Sequence, residues 1–328
     1  MRIRLRLVTI AIGSVVLALG LIPSRAHAQF LSHNYKGDFG LLAGSQPPPG
    51  WIIAAGYVHY GGDTFRDNNG DPLQIDPAGG GKVTANGYAF GAWYVSDLEI
   101  FGANYGVMAF PAFTDNSLEV PALGFEQKTS VGLTDLYMQP INLGWHGKQA
   151  DTQAGLGIVA PIGRYDPDAL DNVGLGMWSF EPFVATTVWF DSAKKWHSSG
   201  AGFYEFHTKK KDTDIQVGQI LTLEGGLGRS WLEGLASLGI TGYAQFKVTE
   251  DDVGEDLQPT FDMLPLGKHR VFGLGAQGTL PIATKERVYG ILSAQYQMEF
   301  GARSTLEGGG LTIIAGFFLP SVAIPQDH

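Results

Sequence analysis

Alternation of apolar and polar residues with a period of two dominates this chain and is clearest in its last third. Leu238, Ile240, Gly242, Ala244, Phe246 and Val248 interleave with Gly239, Thr241, Tyr243, Gln245, Lys247 and Thr249. Leu292, Ala294, Tyr296, Met298 and Phe300 do the same with Ser293, Gln295, Gln297, Glu299 and Gly301. This is the signature of strands with one greasy and one polar face. The pattern predicts strands at Trp51 to Tyr60, Val83 to Val95, Leu98 to Phe110, Ser130 to Trp145, Gln153 to Pro161 and Met177 to Phe190. Six more are predicted at His197 to Thr208, Ile215 to Gly228, Leu235 to Thr249, Arg270 to Leu280, Arg287 to Gly301 and Gly310 to Leu319. In the fourth, Asp135, Tyr137 and Gln139 share a face with Leu143 and Trp145, a conflict that a bulge near Pro140 resolves.

A soluble sandwich would alternate too, with its apolar faces turned to a core. The connections separate the two readings. Short turns near Ser96, Gly147, Ser192, Arg229 and Thr284 take turns with long connections at Gly61 to Lys82, Pro111 to Thr129, Arg164 to Gly176 and Glu250 to His269. Lys209 to Asp214 and Ala302 to Gly309 are of modest length. The long side carries acid (Asp63, Asp67, Asp71, Asp166, Asp168, Glu250, Asp251, Asp252, Glu255, Asp256), and Lys148, Lys194, Lys195, Lys285 and Arg287 mark the short side. Short periplasmic turns facing long outer loops, with an even strand number, are the layout of an outer-membrane barrel. The expected fold is therefore all-β: a transmembrane antiparallel β-barrel of about 12 strands. Trp51, Tyr60, Tyr94, Phe110, Trp145, Trp178, Phe190 and Trp196, near strand ends, suit its interfacial girdles.

The start of the chain adds an export signal. Arg2, Arg4 and Arg6 precede an apolar run from Leu7 to Ile22, and Ala26-His27-Ala28 fits an A-x-A cleavage site. Residues 1–28 are expected to be a signal peptide, 29–50 a proline-containing arm, 51–320 the barrel and 321–328 a tail. In the arm, Pro47, Pro48 and Pro49 fix φ and remove three amide donors, so this stretch joins neither helix nor sheet interior. With no cysteine there is no disulfide or thiolate metal site, and the net charge of −10 disfavours nucleic acid as a partner.

Several stretches carry a resemblance. FGLLAGSQPPPGW with DTFRDNNGD, TDLYMQPINLGWH (Thr134 to His146) and APIGRYDPDALDNVGLGMWSFEP (Ala160 to Pro182) resemble outer-membrane proteins labelled as involved in the meta-pathway of phenol degradation, a family similar to the FadL-type transporters of hydrophobic compounds. Gly176 departs from the pattern, where an asparagine is expected. The resemblance implies a barrel in the bacterial outer membrane that passes small hydrophobic or aromatic compounds by passive diffusion. Its partners would be the solute, outer-membrane lipid and lipopolysaccharide, and the barrel assembly machinery during biogenesis. The alternatives are a nonselective or structural barrel, or an outer-membrane phospholipase using His197 and Ser199.

Candidate residues along the solute path are Phe39, Leu41 and Leu42 of the arm, and Asn104, Glu181, Glu205, His207, Tyr243, Gln245, Lys247, Gln295, Gln297, Glu299 and Arg303 of the wall, with Glu224 and Gln277 on the same inner face. Much of this set would be structural, since a narrow barrel fills its interior with side chains that satisfy one another; Glu299 with Arg303 or Lys247 would form an internal ion pair. His59 and His207 read as wall residues, and Lys209, Lys210 and Lys211 as a solvated loop. Gly273 to Gly278 matches GxGxxG but lies inside a predicted strand, where a nucleotide fingerprint has no use. Asp67, Asn69 and Asp71 have the opening spacing of a calcium loop, yet Pro72 stands where glycine is needed. His197, Ser199 and Gly200 are similar to the histidine-serine segment of outer-membrane phospholipases, without an evident asparagine to orient the histidine. No cofactor or metal site emerges from the residues, and a non-enzyme is expected.

Overall fold

In the computed structural model, residues 32–73, 81–121, 125–169, 171–231, 235–255, 258 and 266–323 are described. The expected signal peptide, the first residues of the arm and the end of the tail lie outside them. The strands are β1 (Gly50–Phe65), β2 (Lys82–Ile100), β3 (Ala103–Phe110), β4 (Ala112–Val120), β5 (Phe125–Leu133), β6 (Leu136–His146) and β7 (Ala150–Ala160). They continue as β8 (Ser179–Trp189), β9 (Trp196–His207), β10 (Ile220–Trp231), β11 (Ala236–Lys247), β12 (Arg270–Ala283), β13 (Arg287–Arg303) and β14 (Leu306–Ala323). Neighbours pair antiparallel around the ring, and β1 pairs with both β2 and β14, so the sheet closes on itself. β3 and β4 are two pieces of one barrel strand: both pair with β2, and Pro111 stands between them. β5 and β6 make a second broken strand. The result is a closed 12-stranded barrel; among the described residues only β5, which pairs with β4 alone, keeps a free edge.

Closure explains why alternation was so legible. Leu238, Ile240, Leu274, Leu280, Leu292, Met298 and Phe317 are exposed on the outer face, where lipid rather than water meets them. Gln245, Gln295, Gln297, Thr241 and Thr222, of opposite parity, are buried inside. Trp51, Trp178, Phe190 and Trp196 stand exposed at strand ends, as a girdle requires. Tyr60 and Phe110 do not join it: Tyr60 donates to Glu299 at 2.6 Å, and the Phe110 ring packs against Gly91 on the inner side.

Several boundaries differ from expectation: β1 runs on to Phe65, and β14 starts at Leu306, so the connection expected at Ala302 to Gly309 is only residues 304–305. The turn expected near Ser96 lies at residues 101–102, where Phe101 and Gly102 both have positive φ. The long loop expected from Pro111 to Thr129 is instead a hairpin, β4 with β5, joined by residues 121–124. Its side chains are mostly half-exposed on both faces, so it has no apolar stripe to mark it. The strand expected from Ile215 begins at Ile220. The bulge near Pro140 is present: β6 gains one residue on β7 between Met138 and Ile141.

Candidate functional site: a lumen lined by the arm

Residues 32–49 run inside the barrel from the outer-loop end to the short-turn end. The order of contacts traces the path. Near the outer loops Ser32 donates to Glu205, Asn34 Nδ2 to Glu181 at 2.7 Å, and the His33 ring meets Ser179 and Asp135. At mid-depth Lys36 Nζ reaches Glu299 at 2.6 Å, and the Gly37 and Phe39 amides donate to the two oxygens of Glu224 at 2.6 and 3.1 Å. Deeper, the Leu41 amide donates to Gln277 at 2.7 Å, Ser45 to Asp151 at 2.8 Å, and Gln46 to Asn142 at 2.7 Å. A chain with irregular backbone survives here because the wall supplies acceptors for its amides.

Two side chains seat the arm. Phe39 meets Phe183 and Phe203 edge-on, with ring centroids 5.4 and 4.7 Å away, next to buried Ala43, Ala185 and Ala201. Leu41 is 1% exposed and occupies a notch where β10 and β11 carry only glycine: a Cβ at Gly226, Gly228 or Gly239 would lie 3.0, 3.1 or 2.8 Å from its Cδ2. Phe39 and Leu41 are thus wall anchors, and Leu42 is half-buried.

Of the wall candidates, Glu181, Glu205, His207, Tyr243, Gln245, Lys247, Gln295, Gln297 and Glu299 are buried inside the barrel. Asn104 is half-buried near the short turns, and its carbonyl accepts from Gln46. Arg303 is a correction: it is exposed on the outer side, because β13 carries an extra residue at Gly301 (φ 63°) and parity inverts there. The cation beside Glu299 is therefore neither Arg303 nor Lys247 but Lys36; Lys247 bonds both oxygens of Asp251 at 2.7 Å. Lys210 is a second correction. Far from being solvated, it is 2% exposed, donates to the Leu175 carbonyl at 2.8 Å and lies over the Tyr165 ring. The loop it pins holds Gly176 at φ 68° with Tyr165 stacked where a Cβ would be, which accounts for glycine there.

The remaining motifs settle into the frame. Gly273 to Gly278 lies within β12. Asp67 Oδ1 accepts the amides of Asn69 and Asp71, closing a turn of its own. Ser199 donates to the Gly40 carbonyl, and His197 Nδ1 lies 3.4 Å from Ser230, so neither is partnered as a nucleophile and base would be.

The inner wall has two unlike halves. Tyr60 faces inward, so Ala54, Gly56 and Val58 of β1 do as well, opposite Gly91, Ala89 and Gly87 of β2 and Gly316, Ile314 and Thr312 of β14. This half is small and apolar, and most of it is half-exposed to the lumen. Arm hydrogen bonds run to β3, β6 to β10, β12 and β13, the polar part, and meet the apolar half at its border, where Tyr35 bonds to Thr312 of β14. Beside the arm, Tyr35, Lys36, Tyr60, Tyr243, Gln297, Gly310 and Thr312 line a cavity of about 30 Å³.

The family described as "Putative MetA-pathway of phenol degradation" matches residues 62–313. The chain belongs to this family. Among solved structures, the COG4313 outer membrane channel from Pseudomonas putida F1 is similar at 15% identity, with 84% of this chain and 97% of that one covered and a TM-score of 0.69. That likeness supports the barrel fold of a bacterial outer-membrane protein. A FadL homologue from Pseudomonas aeruginosa aligns at 10% identity over 83% of this chain and 89% of that one, with a TM-score of 0.35. The beta domain of the Bordetella autotransporter BrkA aligns at 11% identity over 82% and 99%, with a TM-score of 0.44. No curated protein matches the chain.

Proposed function

We propose that this barrel is a channel through which small hydrophobic or aromatic compounds cross the outer membrane by passive diffusion, and that they travel along the apolar inner face of β1, β2 and β14. The division of the lumen carries this reading. The arm occupies the polar half, where its amides and Lys36 neutralise the wall carboxylates, and leaves beside it a strip of Ala, Gly, Val and Ile. A solute without hydrogen-bonding groups gains from such a strip and loses little water in entering it. Passage needs no binding residue of high affinity, since release must stay as easy as entry.

Obstructing the strip tests the reading. A Cβ at Gly87 would meet only Val58 Cβ, at 3.6 Å, so Gly87→Phe has room to project into the lumen without moving backbone. In liposomes, uptake of a labelled aromatic should fall several-fold in Gly87→Phe while the barrel stays folded. Equal uptake by both proteins would exclude this path. A wide, ohmic conductance in planar bilayers would favour a nonselective pore.

A further inference from the structure

We propose that His33 of the arm, with Glu205 and His207 of β9, forms a site for a divalent transition metal of the zinc class, and that the metal pins the arm to the wall near the outer loops. The site rests on the position of the arm and on no assumption about solute.

Ligating atoms of the three residues lie within 4.8 Å of one another. His33 Nδ1 is 3.8 Å and His207 Nδ1 3.7 Å from Glu205 Oε1, and the Ser179 hydroxyl sits between the two imidazoles at 2.6 and 2.7 Å. Two nitrogens and one carboxylate oxygen thus converge on one point. Zinc with bonds of about 2.0–2.1 Å has tetrahedral edges of roughly 3.3–3.4 Å, so small side-chain rotations bring the set into range. Water or Ser179 can complete four-coordination. Two imidazoles with one carboxylate suit zinc, iron, nickel or copper far better than calcium or magnesium, which take oxygen.

The surroundings resemble those of a metal ligand. His33 Nε2 lies 2.9 Å from Asp135 Oδ2, and Asp135 is itself oriented by the amides of Gly163 at 3.0 Å and Leu175 at 2.7 Å. Asp135 therefore accepts, His33 Nε2 carries the proton, and the Nδ1 lone pair points at the cluster. This is the carboxylate–histidine–metal relay that fixes tautomer and orientation in metal sites. Glu205 is pre-positioned too, its Oε1 accepting the His33 amide at 2.8 Å. Without a metal, Ser179 can donate to His33 Nδ1 and accept from His207 Nδ1–H, so the hydroxyl bridges both rings; a metal would replace that bridge, with the His207 proton moved to Nε2, which has no hydrogen-bond partner among the described residues. The arm and β9 are far apart in sequence, so a metal here would act as a clasp between them.

The test uses the mature full-length protein in detergent, stripped with chelator and titrated with Zn²⁺ by calorimetry, with Co²⁺ absorption as a readout of coordination. One equivalent should bind, with the intense visible bands of four-coordinate Co²⁺. His33→Ala and His207→Ala should each abolish that equivalent, and Asp135→Asn should weaken it about 10–100-fold. His33 lies on the arm, so its removal leaves the barrel strands intact, and heat-dependent gel mobility verifies folding of every variant. Absence of saturable binding by the native protein, or one equivalent retained in folded His33→Ala, would overturn the proposal.

Discussion

Lys36 of the arm places its ammonium 2.6 Å from the carboxylate of Glu299 on β13, and Tyr60 and Tyr243 donate to the same carboxylate at 2.6 and 2.7 Å. Strands from three parts of the barrel and the arm thus share one anion. The Glu299 side chain is 1% exposed and that of Lys36 24%, so removing the cation strands a charge with little water to replace it. Lys36→Met should loosen the docked arm by about 3 kcal/mol, the lower end for a broken buried pair, since the lysine keeps some contact with water. Limited proteolysis within the arm should then speed up by about 100-fold. Glu299→Gln in the same chain should restore most of the protection; failure to do so would mean that the pair is not what holds the arm.

Removal of the arm tests its place in permeation. Deletion of residues 29–46 would leave Glu181, Glu205, Glu224 and Glu299 facing an emptied lumen without their arm partners. Such a ring of carboxylates favours cations. Planar-bilayer recordings of the truncated barrel should show a larger conductance with cation preference, whereas uptake of a hydrophobic probe should lose its advantage over polar ones. Unchanged uptake and conductance would remove the arm from the mechanism.

What could be read from sequence, and what could not, follows from how far each inference had to reach. Period-two alternation reports the face of a strand in lipid, so Leu238 to Lys247 was plain. It fails where both faces meet water, as in β4 and β5, and it inverts silently past a bulge, so parity alone puts Arg303 on the inner face although it stands outside. Glu205 and His207, two apart on β9, visibly share a face. Nothing local announces that His33 completes them, because that contact depends on the arm turning back through the closed barrel. Lys210 was masked by its neighbours: in a run of three lysines only the three-dimensional path of the loop tells which one is buried.

The glycine notch around Leu41 predicts coupling between arm and wall. Leu41→Ala should weaken arm docking by about 2–5 kcal/mol, the range for emptying a tightly filled leucine site. Gly228→Ala in the native chain brings a Cβ to 2.9 Å from His197 Nε2 and 3.1 Å from Leu41 Cδ2, so it should also destabilise. With Leu41 already truncated, the second change meets one obstacle fewer. A double-mutant cycle on arm protection should therefore give a coupling of about 0.5–3 kcal/mol, and strict additivity would deny that the notch exists to seat Leu41.

The outer loops carry a pH dependence of definite sign. Burial lowers Lys210 from the usual 10.5 to about 8, with Asp135 and Asp251 opposing the shift, while its ammonium holds the Leu175 carbonyl at 2.8 Å. Between about pH 8 and 10.5 the unfolded loop keeps a proton that the folded loop has released. Because the unfolded form then binds more protons, the folded loop gains stability as pH rises through that window, and below it the contribution is flat. Amide exchange at Leu175 and Lys211, whose N–H groups bond to Asp135 and Gly176, should show protection factors that increase over this range after correction for intrinsic base catalysis. In Lys210→Met the rise should vanish, leaving a pH-independent protection; a rise that persists in the variant would assign the effect to another group.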